Sequence, residues 1–186
     1  MVANLTTSED FLDQLFEERE TAVARDLKLN LKKLLGGASL DATEAPLALL
    51  ALASASGPAA GPLATYAREA LAARDLTREQ IREAAESAAI MTLLNGYYKF
   101  RGMIANDEDY GGAGLRMTAL ASPGLGKERF EMLAFAVSCL NGCQSCIRSH
   151  EKVLRDAGVP PAKLHDLARL AATVRATTTL LTLPPF

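Results

Sequence analysis

The stretch KERFEMLAFAVSCLNGCQSCIRSHEKVLRDAG, residues 127–158, decides the fold and carries the chemistry. Its apolar residues recur at spacings of three and four, the period of an amphipathic helix, and β-branched residues are sparse. The spacing predicts one helix from about Lys127 to Leu140 and a second from about Asn141 to Ala157. Asn141-Gly142 between them is a turn dipeptide, so the two are expected to run antiparallel.

On the second helix each residue turns the chain by about 100°, which places Cys143, Cys146 and His150 within an arc of roughly 60°. Residues three apart on a helix have Cβ atoms about 5–6 Å apart, slightly beyond the spacing a relaxed disulfide prefers. A bridge formed there is expected to be readily reduced. Thiol chemistry runs through the thiolate, and three features favour one here. Asn141 as N-cap puts Cys143 in the first helical turn, the helix dipole favours negative sulfur, and His150 lies one turn beyond Cys146. Glu131 lies about 18 Å from Cys143 if the helix runs straight, out of reach. A reversal at Asn141-Gly142 brings it opposite roughly position 152, beside His150, and yields the relay Glu131, His150, Cys146 with Cys143 as second thiol.

The same four side chains have a bland alternative, a zinc site in a helical interaction module, although structural zinc usually draws a second ligand pair from a distant segment. Cys139, among Ala136, Val137 and Leu140, reads as core packing, and His165 as a surface residue.

Outward from this stretch, the rest of the 186 residues reads as helix too, with no convincing strand: an all-α single domain spanning residues 1–186. Ser8 is expected to cap a long first helix through Phe11, Leu15, Val23, Leu27 and Leu31, ending at Gly36-Gly37. A short buried helix is expected over Pro46–Ser56 and another from about Leu63 to Ala73. Thr77-Arg-Glu-Gln80 has the form of a capping box, opening a helix that runs toward Leu94. Residues 106–126, rich in Gly, Asp and Ser, read as an irregular connection with one short helix near Leu115–Leu120, and Pro160-Pro161 opens a last helix reaching Leu181. Leu94-Asn95-Gly96 and Leu140-Asn141-Gly142 recur 46 residues apart, which suggests an internal repeat with Tyr97, Phe100 and Ile104 standing where Cys143, Cys146 and His150 stand.

Composition narrows the partners. With 20 Lys and Arg against 22 Asp and Glu, the chain carries a net charge of −2 and no basic run, so nucleic acid is not expected. No apolar stretch is long enough to span a bilayer, and the N-terminus lacks a basic region and an apolar run, so no export signal or membrane association is expected. Three cysteines without an export signal fit a reducing, cytoplasmic setting, where a close pair is catalytic or metal-binding.

Glu131, eleven residues, Cys143-Gln-Ser-Cys146, three residues, then His150-Glu151 resembles the signature of the alkyl hydroperoxidase D family. Gly114-Leu-Arg-Met117, Ser122-Pro-Gly124, Phe135-Ala-Val-Ser138, Asn141-Gly-Cys143 and, upstream, Ala89-Ile-Met91 and Phe100-Arg-Gly102 extend the likeness over essentially the whole chain. The resemblance implies the all-helical fold of carboxymuconolactone decarboxylases, a homotrimer, and reduction of organic hydroperoxides without a tightly bound cofactor. It implies that Cys146 is the peroxidatic cysteine, oxidised to a sulfenic acid, that Cys143 resolves it as a Cys143–Cys146 disulfide, and that Glu131 and His150 relay protons. It further implies re-reduction by dihydrolipoamide on a lipoyl-bearing dihydrolipoamide acyltransferase, and electron transfer to a partner peroxiredoxin of the alkyl hydroperoxide reductase system. Some members carry a histidine immediately before the second cysteine, where this chain has Ser145.

Overall fold

The computed structural model describes residues 7–37 and 39–184. The segment through residue 6, part of the stretch read as lacking an export signal, lies outside the described residues. Among those described there are eight α-helices and no strand: α1 (Ser8–Leu15), α2 (Ala22–Leu35), α3 (Glu44–Ala55), α4 (Gly61–Ala72), α5 (Arg78–Arg101), α6 (Lys127–Asn141), α7 (Gln144–Asp156) and α8 (Pro161–Thr182). The all-α expectation holds. No helix among the described residues is long and apolar enough to cross a membrane.

The single long opening helix is two helices. Thr7 rather than Ser8 caps α1, its hydroxyl accepting from the Asp10 amide, and Thr21 caps α2 in the same way from the Ala24 amide. An N-cap hydroxyl satisfies an otherwise orphaned N–H, so Thr21 starts a new helix although the apolar period continues across the break. Thr77 and Gln80 form the expected capping box, but α5 runs past Leu94 to Arg101, straight through Gly96. In the 102–126 connection the expected short helix is a 3-10 turn at Thr118–Leu120, with another at Asp107–Asp109.

α3 is apolar on every side and buried from Glu44 to Ala53, as a helix at the centre of a bundle must be. It packs against α4, α5, α6 and α8, while α6 in turn packs against α5, α7 and α8. Buried side chains from all eight helices join one hydrophobic cluster. Lys163 at the start of α8 binds Glu44 at the start of α3, 2.6 Å away, tying the N-terminal ends of these two helices together.

The helices α3–α5 and α6–α8 form two halves that share one register, with a spacing other than the expected 46 residues. α3, α4 and α5 begin at 44, 61 and 78, and α6, α7 and α8 begin 83 residues later, at 127, 144 and 161. Burial follows the same register: Ala84, Ala88 and Met91 of α5 are buried, as are Leu167, Ala171 and Val174 of α8. The 46-residue echo is no such repeat, because its first Asn-Gly lies inside α5 and its second ends α6.

α6 ends where the reversal was expected. Gly142 adopts φ 67°, ψ 36°, its amide donates to the Cys139 carbonyl, and the Cys143 amide donates to the Ser138 carbonyl. This is a Schellman closure, which needs a left-handed residue at the stop. Gly158 closes α7 in the same manner, at φ 88° with the Val159 amide on the Leu154 carbonyl. No atom lies within 4 Å of a Cβ built on Gly142, so a substitution there meets only the backbone penalty. Gly142→Ala is expected to lower unfolding free energy in urea by about 1–2 kcal/mol; an unchanged midpoint would show that the turn does not require positive φ.

Candidate active site

The Gly142 reversal lays α7 back along α6 and brings the four expected residues to one helix–helix interface. Cys143 is the N-cap of α7, extended at φ −87°, ψ 97°, so it precedes the helix, and Asn141 is the last residue of α6 rather than the cap of α7. The helical Cβ spacing therefore does not govern the pair. Cys143 and Cys146 are joined by a disulfide with Cα atoms 5.3 Å apart, inside the ordinary range for a bridge.

His150, one turn after Cys146 on α7, meets Glu131 on α6, with His150 Nδ1 2.7 Å from Glu131 Oε2. Both side chains are about one-fifth exposed. With Nδ1–H donating to the carboxylate, a neutral ring keeps its lone pair on Nε2, free for a proton from elsewhere. Cys146, His150, Ser145 and Ser149 line a cavity of about 430 Å³, closed by Met91, Leu94 and Tyr98 from α5 and by Met117 and Leu120 from the irregular connection. A neighbouring cleft, lined by Pro123, Phe130 and Glu131, shares Met91, Leu94, Leu120 and His150 with it. Cys143 is fully buried and lines neither. The walls are mostly apolar, with polar groups concentrated beside the sulfur, the usual build of a small-molecule site.

In the 83-residue register Glu131, Cys143, Cys146 and His150 stand where the first half has Ala48, Ala60, Leu63 and Ala67, each fully buried. The first copy seals this interface with packing. The second opens it onto a cavity and fills it with titratable groups.

Residues 113–183 match the profile of the Carboxymuconolactone decarboxylase family, a span that begins just before the cavity-lining loop and takes in the second half of the duplication. Over 155 residues, 82% of this chain and 85% of the relative, the sequence is 39% identical to the alkyl hydroperoxide reductase AhpD of Streptomyces coelicolor. It is 42% identical over 159 residues to the protein of that name from Rhizorhabdus wittichii, covering 84% of this chain and 90% of the relative. The relative from Mycobacteroides abscessus is 38% identical over 151 residues, 81% of this chain and 85% of that protein. The chain belongs to the AhpD family.

Several residues around this AhpD-type site were not singled out from sequence. Asn95 of α5, buried, donates from Nδ2 to Ser138 Oγ at 3.0 Å and accepts at Oδ1 from Asn141 Nδ2 at 3.1 Å. The asparagines of the 46-residue echo are thus partners across an interface rather than equivalents in a repeat. Lys99 Nζ and Arg175 Nη2 donate to the carbonyls of Asn141 and Leu140, placing two cations at the negative end of α6. Arg101 binds Asp107 and donates to the carbonyls of Asp107 and Gly111, anchoring the connection that supplies Met117 and Leu120. The echo was the one signal that pointed toward Asn95.

His165 lies on α8 away from the cavity. Cys139 is the free cysteine, half-buried against the core, and its burial pushes the thiol up to about 11. Among the described residues no three His, Cys, Asp or Glu side chains converge as a metal cluster, and the two sulfurs considered for zinc, Cys143 and Cys146, are bonded to each other.

Asn95→Ala strands Ser138 and Asn141 beneath the turn and is expected to cost about 2–3 kcal/mol in urea unfolding; a loss below 0.5 kcal/mol, on the order of noise in such data, would remove the network from the fold's support. After reduction, iodoacetamide at about pH 7.5 is expected to label Cys146 well ahead of Cys139, read by mass spectrometry. Faster labelling of Cys139 would contradict its shielding.

Proposed function

We propose that this chain is an alkyl hydroperoxide reductase, a thiol peroxidase in which Cys146 attacks the peroxide and Cys143 resolves it. One observation carries the reading. Cys146 lines the cavity together with His150, which Glu131 holds, while its disulfide partner Cys143 is sealed away from that cavity.

In the reduced form, Nε2 of His150 takes the Cys146 proton and leaves a thiolate. The sulfur attacks the terminal oxygen of ROOH, the O–O bond breaks, and the departing alkoxide takes the proton back from the imidazolium as ROH. Cys146 is then a sulfenic acid. Cys143 attacks that sulfur, the S–O bond breaks, and hydroxide leaves as water with the Cys143 proton, closing the disulfide. The two thiols have supplied both electrons. Glu131 fixes the tautomer of His150 and stabilises the imidazolium, a positioning role. The apolar lining of Met91, Leu94, Met117 and Leu120 favours an organic hydroperoxide over hydrogen peroxide.

The finer parts of the reading rest on the family resemblance. They are re-reduction by dihydrolipoamide on a lipoyl-bearing dihydrolipoamide acyltransferase, passage of electrons to a partner peroxiredoxin of the alkyl hydroperoxide reductase system, and assembly as a cytoplasmic homotrimer. Tyr98, Phe100, Met103 and Tyr110 are exposed around the end of α5 and offer apolar surface for such contacts.

Cys146→Ser is expected to abolish turnover of cumene hydroperoxide with dihydrolipoamide, Cys143→Ser to stop after one equivalent, and His150→Ala to lower kcat by about 10²–10⁴-fold. Mass spectrometry after one equivalent of hydroperoxide, with free thiols blocked, should find the Cys143–Cys146 bridge. Retained turnover in Cys146→Ser, or a bridge through Cys139, would overturn the assignment.

A further inference from the structure

Cys143 sits at the N-cap of α7, yet its side chain accepts no hydrogen bond from the amides of the first turn. Its sulfur instead lies 3.6 Å from Ser145 Oγ, two residues on. Ser145 is exposed and lines the cavity beside Cys146, so its hydroxyl bridges the accessible side of the disulfide and the sealed sulfur.

Reduction of a disulfide is an in-line displacement: the attacking thiolate approaches one sulfur and the other leaves. Of these two sulfurs, that of Cys146 is reached from the cavity, and that of Cys143, with 0% exposure, is not. The attacked atom is therefore Cys146 and the leaving atom Cys143. A leaving thiolate generated in a fully buried position is costly without a donor aimed at it.

We propose that Ser145 supplies that donor, holding Cys143 as the leaving thiolate while the reductant forms its mixed disulfide on Cys146. This rests on the peroxidase reading only in requiring that the disulfide turn over. The reductant thiolate bonds to Cys146 Sγ, the Cys143–Cys146 bond breaks, and its electron pair goes to Cys143 Sγ. The Ser145 hydrogen stays on oxygen and bonds the new anion, since a serine hydroxyl is far too weak an acid to transfer it. With a dithiol, the second thiolate attacks its partner in the mixed disulfide, releasing Cys146 and a cyclic disulfide. Ser145 thus acts in the reductive half of the cycle, stabilising the thiolate that burial makes the leaving group.

The test uses the oxidised full-length chain and no peroxide, so it stands or falls apart from the peroxidase assignment. Reduction by dithiothreitol is followed by stopped flow for the parent chain, Ser145→Ala and Ser145→Thr. A hydrogen bond to a charged sulfur predicts about tenfold slower reduction for Ser145→Ala, with Ser145→Thr restored to within about threefold of the parent. Circular dichroism checks that the variants fold. In the unaltered chain, 2-mercaptoethanol followed by an iodoacetamide quench should leave mercaptoethanol on Cys146 and the alkyl group on Cys143. A Ser145→Ala rate within about twofold of the parent would overturn the role of Ser145. Mercaptoethanol found on Cys143 would overturn the order of attack, whatever the variants do.

Discussion

The left-handed turn at Gly142 is the constraint on which the site depends. Had α6 continued through it, Glu131 and His150 would lie about 28 Å apart along one axis, nineteen residues at 1.5 Å each. Because the chain reverses, they meet at 2.7 Å. The closure draws on the Cys139 and Ser138 carbonyls, the Asn95–Ser138–Asn141 network beneath it, and Lys99 and Arg175 on the last carbonyls. Each of these contacts removes an orphaned backbone group or a buried unpaired amide, so the turn is held from α5, α6 and α8 at once.

The duplication explains how such a site can be carried in a stable bundle. Ala48, Leu63 and Ala67 show what the interface is worth as packing alone, and their counterparts Glu131, Cys146 and His150 give up that packing for a paired carboxylate and imidazole. A buried ion pair or hydrogen-bonded pair seldom stabilises more than apolar side chains of the same volume. The apolar core shared by both halves, with α3 buried from Glu44 to Ala53, supplies the packing that these site positions give up. The cavity arises where the register fails: the irregular 102–126 connection is stapled by Arg101 and carries Met117 and Leu120 over the sulfur.

Local signals carried most of this into the sequence. The all-α class, the capping box at Thr77, the reversal at Asn141-Gly142 and the opposition of Glu131 to His150 are all short-range, and periodicity or turn chemistry exposes them. What escaped was set by choices between near-equal local options or by tertiary contacts. Thr7 and Ser8 are adjacent cap candidates, and only the geometry chose Thr7. Thr21 interrupts a helix whose apolar period survives the break, so pattern alone reads straight through. Gly96 and Gly142 sit in the same tripeptide, yet Gly96 stays helical inside α5 while Gly142 takes positive φ. The 83-residue register left no matching motif, because core positions tolerate exchange among apolar residues and the site positions had changed chemistry altogether.

One placement has the widest chemical consequence. With Cys143 rather than Asn141 as the N-cap of α7, the two sulfurs lie in unlike environments: Cys143 belongs to the turn and is fully buried, and Cys146 to the first turn of the helix, on the cavity wall. Two cysteines both inside the helix would share one face and compete as nucleophiles. A cysteine in the turn cannot meet a substrate in the cavity, and so serves only the sulfur beside it. In the proposed cycle this geometry lets Cys146 exchange with whatever enters the cavity and leaves Cys143 to exchange with Cys146.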